Sequence, residues 1–268
     1  MWGTAARGTR LGARGARLAL SMSDARAPLR AVFLDIGDTI MRPNPSWEAV
    51  YQIAFREFGV EVEIGDLYAA LRRAYHHGGW GLDDVGFEPT EESSFRRTVE
   101  IDAQAIAELG LPPMPEAFYR RLAELFMVTS HWHIFPDAYP TLSALRERGL
   151  TLGAVSNWVW NLPELLHALD LVRHFDFIAA SSRIGFEKPH ARIFEWALEQ
   201  AKADPGEVIH VGDHLDADVE GARRAGMDAI LIDRFNRHDP AEVPDGVPVI
   251  SSLDELLPIV DRRLASAA

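Results

Sequence analysis

The 268-residue chain contains no cysteine. Disulfide staples and thiolate metal sites are therefore excluded, and the fold must be held by a buried apolar core, for which the length is ample. A chain with no thiol to oxidise suits a reducing compartment, and the cytoplasm is the expected location. Basic residues are in deficit: 27 Lys and Arg against 40 Asp and Glu give a formal net charge of −13. Nonspecific nucleic-acid binding requires basic surface, so no nucleic-acid partner is expected. Long hydrophobic runs are absent as well. Nothing approaches the roughly 20 apolar residues that cross a bilayer, so no membrane partner is expected. Acidic residues are themselves missing from the first 23 positions, where Arg7, Arg10, Arg14 and Arg17 stand without an acid before Asp24. Residues 1–27 read as a basic N-terminal segment: a disordered tail, an organelle-targeting segment, or a start assigned too early with Met22 as the true beginning.

What is present is ordinary globular composition, 47% apolar and 25% charged, with an ordered set of polar residues placed after short apolar runs. Ala31-Val-Phe-Leu precedes Asp35-Ile-Gly37-Asp38-Thr39; Leu152-Gly-Ala-Val precedes Ser156-Asn157. Gly185-Phe-Glu-Lys188-Pro189 follows, and Ile209-His-Val precedes Gly212-Asp213-His-Leu-Asp216-Ala-Asp218. Such runs read as strands buried on both faces of a parallel sheet. Ligands of these sheets bind at the carboxyl ends of the strands. Strand ends carrying carboxylates, a hydroxyl with an amide, and a lysine would together suit metal-assisted attack on a phosphate ester.

These residues, in this order, resemble the haloacid dehalogenase superfamily, in particular its phosphatase-like subfamily I members with a helical C1-type cap after the first motif. The resemblance covers roughly residues 30–235. It implies an α/β fold: a Rossmann-like parallel sheet core over 28–43 and 134–268, with an inserted all-helical cap over 44–133. It also implies Mg²⁺-dependent hydrolysis of a small phosphorylated metabolite through an aspartyl-phosphate on Asp35. A carboxylate can attack phosphorus and form such an intermediate, which water then hydrolyses. Oligomeric state is left open.

The site residues follow from these motifs. Ser156 and Asn157 offer a hydroxyl and an amide for phosphate oxygens. Lys188, fixed before a proline that favours extended backbone, matches the lysine that in the family neutralises the nucleophile and the phosphoryl group. Asp35 and Asp213 supply the hard oxygen ligands that Mg²⁺ prefers, and the Gly37 carbonyl stands where the family uses a main-chain ligand. Asp218 and Thr39 are expected behind them as supports, with Asp216 favouring a helix N-terminus.

Position 37 departs from the family pattern. Its phosphatases carry Asp-x-Asp, the second acid protonating the leaving group and activating water; here that residue is Gly37. Asp38 is one position late and on extended backbone would point the other way, bonding within its loop. General acid–base help contributes about 10²–10⁴ in rate, so a slow phosphatase is one expectation. A metal-free 2-haloacid dehalogenase, or a catalytically weak phosphate-ligand-binding protein, are the alternatives.

Periodicity at three and four residues places helices from Trp47, capped by Ser46, to about Phe126, broken at Gly78-Gly79 and Pro112-Pro113. Trp47, Arg72, Tyr75 and Trp80 read there as packing or surface residues. His76-His77 and His131-Trp132-His133 lack an acidic partner pattern and read likewise. Beyond the cap, strands at 150–155, 176–180, 207–211 and 229–232 alternate with helices at 139–148, 162–169, 189–201 and 216–225. A loop at 239–248 and a helix at 253–264 complete the chain.

Overall fold

The computed structural model describes residues 27–77 and 86–266. The basic segment up to residue 26, the Gly78-Gly79 break and Trp80 lie outside the described residues.

The first apolar run forms β1 (Ala31–Leu34), fully buried. Its side chains alternate between two cores, as strand geometry requires. Val32 and Leu34 join one cluster with Leu152, Ala154, Ile209 and Val211. Ala31 and Phe33 join the other with Val155, Val208 and Leu231. Parallel strands β4 (Thr151–Ser156) and β6 (Val208–Gly212) flank β1. Outside them lie β5 (Phe177–Ala180), then β7 (Asp228–Ile232) and β8 (Val249–Ile250), in the order β5-β4-β1-β6-β7-β8. The chain leaves β1 for β4 and β5 on one side, then returns to β6, β7 and β8 on the other. That reversal opens a crevice beside β1 at the carboxyl ends, the usual place for a ligand. Helices cover both faces. α5 (Ala138–Glu147), α6 (Leu162–Ala168) and α10 (Leu256–Ala265) pack on the first cluster; α8 (Ala191–Ala201) and α9 (Gly221–Arg224) pack on the second.

Between β2 (Met41–Pro43) and β3 (Trp132–Ile134) the chain makes α1 (Trp47–Glu57), α2 (Ile64–His77), α3 (Glu91–Glu108) and α4 (Glu116–Phe126). β2 and β3 pair antiparallel, so the helices leave and rejoin the sheet domain through one short ribbon. The four helices bury their own core around Val50, Phe55, Leu67, Ile106, Phe118 and Leu122. Ser46 caps α1 by accepting the Ala49 N–H at 3.3 Å.

Three differences from the sequence reading have local causes. β2, β3 and β8 are two or three residues long, too short to show alternation. The small α7 (Ser181–Ile184) is a single turn, closed by Gly185 at φ 85°. The helix expected over 216–225 opens instead as a π-helical turn, Leu215–Glu220, before α9. Val219 there donates to the His214 carbonyl five residues back, a widening often found at functional sites. Among the described residues, no helix is long and apolar enough to cross a membrane.

Candidate active site

Asp35 follows β1 directly and is held by a hydrogen bond from its own N–H to the Val211 carbonyl of β6 (2.8 Å). Its Oδ1 accepts from Ser156 Oγ at the end of β4 (2.9 Å) and from Lys188 Nζ (2.6 Å). Lys188 is 2% exposed and also donates to Asp218 Oδ1 at 2.6 Å. Asp218 in turn accepts the His214 N–H at Oδ2 (3.0 Å) and lies 2.9 Å from His210 Nε2 through Oδ1. The ends of β1, β4 and β6 thus converge with the loop before α8 that carries Lys188.

Gly212 explains the close approach of β6 to the π-helical turn. A methyl group there would overlap the Asp218 carboxylate, so only glycine lets that carboxylate rest against the strand.

Asn157 has a different task from the phosphate contact expected of its amide. Its Oδ1 accepts the Lys188 N–H (2.6 Å) and its Nδ2 donates to the Lys188 carbonyl (2.8 Å). The amide clamps the main chain from which the lysine projects. Asp38 bonds within its surroundings as expected, but for another reason than extended geometry: its φ is 51°. Arg237 Nη1 donates to its Oδ2 at 2.8 Å, and Arg42 Nε lies 3.9 Å from Oδ1. Thr39 is fully buried; its carbonyl accepts from Arg234 Nε and Nη2, and its hydroxyl has no hydrogen-bond partner among the described residues. Asp216 is exposed in the first turn of the π-helical segment.

Two supports escaped the sequence reading. His210 sits inside a fully apolar strand run, which was the available signal, and stacks edge-on with Phe194 (5.4 Å). Arg234 spans Thr39 and Asp137, with its Nη1 2.8 Å and its Nη2 3.0 Å from the two carboxylate oxygens; nothing in sequence joins residues 97 positions apart. Of the histidines read as packing or surface residues, His131 Nδ1 lies 2.8 Å from the Leu125 carbonyl and His133 meets Phe135 edge-on, while the side chains of His76 and His77 lie outside those described.

Asp35, Asp213 and Asp218 each bring a carboxylate oxygen within 4.8 Å of the others, a group that could hold a metal ion. The electrostatics fit a cation there. Burial raises Asp35, with Lys188 opposing and Asp218 adding to the rise. Asp213 is pushed well above the usual carboxylate range by burial, then by Asp35 and Asp218. Burial also acts upward on Asp218, but Lys188 and His210 bring it net below its ordinary value. Lys188 is raised net: burial disfavours its charge, and the two carboxylates more than restore it. Three clustered acids against one ammonium leave an excess of negative charge, which a divalent cation would offset. The hydrogen bonds flanking Gly37, from Met41 N–H to the Ile36 carbonyl (3.1 Å) and from Asp38 N–H to the Met41 carbonyl (2.8 Å), hold this turn without using the Gly37 carbonyl.

Above Asp35 lies a cavity of about 500 Å³, shared between the strand ends and α1–α4. Trp47 and Tyr75 pack against the cores as expected, and with Arg72 they also line this cavity. Asp102 of α3 also lines it, 1% exposed. Its Oδ1 accepts from Tyr51 (2.7 Å) and Tyr75 (3.2 Å).

A family model described as haloacid dehalogenase-like hydrolase matches residues 29–226. The chain belongs to the haloacid dehalogenase-like hydrolases. Among curated relatives, haloacid dehalogenase-like hydrolase domain-containing protein 3 of Bos taurus is 34% identical over 262 residues, covering 91% of this chain and 98% of its own. A glyceraldehyde 3-phosphate phosphatase of Methanothermobacter thermautotrophicus is 39% identical over 217 residues, covering 76% and 85%. The crystal structure of a 2-haloacid dehalogenase from Pseudomonas syringae pv. Tomato is similar in fold, with TM-score 0.61, 24% identity, and coverage of 87% of this chain and 99% of that one. As a haloacid dehalogenase-like hydrolase, the chain is an enzyme whose relatives include phosphatases by name.

Proposed function

We propose that this hydrolase is a Mg²⁺-dependent phosphatase of a small phosphate monoester, with Asp35 as nucleophile. The observation that carries the reading is Asp35 itself: a buried carboxylate at the end of the central strand, bonded to Lys188 and Ser156 and grouped with Asp213 and Asp218. Asp35, Asp213 and the Gly37 carbonyl would hold Mg²⁺, whose hard charge neutralises phosphate oxygens.

The chain's own groups do the rest. Lys188 balances the charge on Asp35 and on the incoming phosphoryl group. Ser156 turns its hydroxyl from Asp35 toward a phosphate oxygen. Asn157 keeps the lysine's backbone in place, and Asp218 holds its ammonium from behind. Attack by Asp35 on phosphorus forms an aspartyl-phosphate and releases the alcohol; water then frees inorganic phosphate and restores the carboxylate. Thr39 supports the turn after Asp35 through its carbonyl contact with Arg234.

The grouping of Asp35, Asp213 and Asp218 favours this reading over a metal-free 2-haloacid dehalogenase, which needs no carboxylates to hold a metal. p-Nitrophenyl phosphate hydrolysis with and without Mg²⁺ tests it, on wild type and Asp35→Asn. Mg²⁺-dependent turnover that falls by roughly 10⁴-fold or more in Asp35→Asn is expected, the scale on which loss of a nucleophile acts. Turnover that survives Asp35→Asn would end the proposal. Chloride release from a 2-chloroacid without Mg²⁺ would move it to the dehalogenase reading, and tight phosphate-ester binding without turnover to a binding protein.

A further inference from the structure

The wall where the strand ends meet the helices is aromatic. A side chain at Gly37 would begin 3.5 Å from Cζ3 of Trp158 and 3.9 Å from Cζ2 of Trp47. Those indoles belong to a cluster in which Trp47, Trp132 and Trp158 have ring centroids 5.5–5.8 Å apart. Phe126 joins it at 5.6 Å from Trp47. Trp47, Trp158, Phe126, Tyr51 and Tyr68 all line the cavity above Asp35. Flat side chains with few rotors suit a planar ligand, because offset and edge-on ring contacts add to the burial of its surface. The cavity's volume is that of a small-molecule site.

The turn beside Asp35 offers a leaving group no side chain at position 37, which is glycine. Asp38 is engaged through Oδ2 by Arg237 Nη1 at 2.8 Å. His214 also lines the cavity, and its Nδ1 accepts the Ala217 N–H at 3.2 Å. Asp213 is taken by the cation in the reading above. A leaving oxygen expelled from phosphorus here receives no proton from position 37.

We infer that the substrate is an aryl phosphate: a monoester whose leaving group is a planar aromatic hydroxyl of low basicity, seated against Trp47 and Trp158. The inference rests on the phosphatase reading and narrows its substrate class. The Asp35 oxygen forms a bond to phosphorus while the bond from phosphorus to the aryl oxygen breaks. The aryloxide leaves with the electron pair and takes a proton from solvent. Water then attacks the phosphorus of the aspartyl-phosphate, loses a proton to solvent, and releases phosphate with the Asp35 carboxylate restored.

The test is kcat/KM with Mg²⁺ for three kinds of substrate: substituted phenyl phosphates of graded leaving-group basicity, alkyl phosphates such as glycerol phosphate, and acetyl phosphate. Aryl esters should exceed alkyl esters by about 10²-fold or more, the scale of a missing general acid, with a steep dependence on basicity across the phenyl series. Acetyl phosphate, a good leaving group without a ring, should fall below the best aryl ester. Trp158→Ala should lower the aryl-to-acetyl ratio by about two- to tenfold. Tyr68→Ala, at a half-exposed position whose loss spares the core, should lower it in the same direction. Gly37→Asp should raise alkyl turnover more than aryl turnover. Alkyl esters cleaved as fast as aryl ones would overturn the inference while leaving the phosphatase intact. Ratios unmoved in both Trp158→Ala and Tyr68→Ala would overturn the aromatic seat. Folded, Mg²⁺-loaded protein that hydrolyses none of the three kinds would instead remove the phosphatase reading, and this inference with it.

Discussion

Asp218 in the sheet domain and Asp102 in the helical insertion are each 1% exposed, yet burial has opposite net outcomes for them. Asp218 stays below the ordinary carboxylate range because Lys188 and His210 outweigh its desolvation. Asp102 is desolvated too, and only the hydroxyls of Tyr51 and Tyr75 answer it; its pKa rises to about 7. Its Oδ2 is buried without a hydrogen-bond partner among the described residues. Two hydrogen bonds from neutral phenols therefore do less for a buried carboxylate than an ammonium at 2.6 Å together with a histidine at 2.9 Å. The sheet domain holds Asp218 charged against an ammonium. The insertion keeps Asp102 near neutrality inside an aromatic cavity.

Removing the cation should make the first region resemble the second. Lys188→Met leaves Asp35 and Asp218 without the ammonium they share, and should cost about 3–5 kcal/mol of unfolding free energy at neutral pH. The loss should shrink in mild acid as the carboxylates take up protons. Urea unfolding in the presence of a chelator measures it; an unchanged midpoint would mean that the lysine does not set the charge state of this cluster.

Asp102→Asn sharpens the other side. The folded pKa of Asp102 lies above its unfolded value of 3.8, so folding binds the proton more tightly. Its favourable contribution is fully present below the unfolded pKa and is lost as pH rises through about 7. A shift of about three units corresponds to a loss of roughly 2–4 kcal/mol. Asparagine keeps an acceptor for Tyr51 and cannot ionise, so the variant should lose less stability than wild type between mildly acidic and mildly alkaline pH. Parallel pH profiles of the melting temperature would show that Asp102 is already ionised at acidic pH.

Ser46→Ala should have the smallest effect, about 1 kcal/mol. It removes one capping hydrogen bond to Ala49 and no buried charge. Thermal unfolding measures it, and a loss as large as that of Lys188→Met would mean that entry into α1 governs the whole fold.

The two regions also differ in how much of them was legible. Asp35, Ser156, Lys188 and Asp213 each follow an apolar run or open a Lys-Pro step, and parallel sheets bring such positions together. Asp102 looks like one more polar residue on α3, because its partners Tyr51 and Tyr75 lie 51 and 27 positions away. Arg237 and Asp38 are 199 positions apart, and no local pattern pairs them. Asn157 was found by its place after β4, but its task was not, since an amide can serve a phosphate or a peptide equally well. Trp47 and Trp158 were individually visible and jointly not, because only packing sets indoles from a cap helix and a strand-end loop against Gly37.

The sequence by itself determined the alternating strands and helices, the insertion of helices after the first strand, and which residues stand at the strand ends. Those properties follow from local periodicity and from the rule that parallel strands present their carboxyl ends together. Only the tertiary structure decided which of the buried carboxylates meets an ammonium and which meets phenols, that Asn157 holds Lys188, and that the space over Asp35 is walled by indoles. Such pairings depend on distances of a few ångströms between segments far apart in the chain, and the energy of a charge in a protein interior changes most steeply over that range.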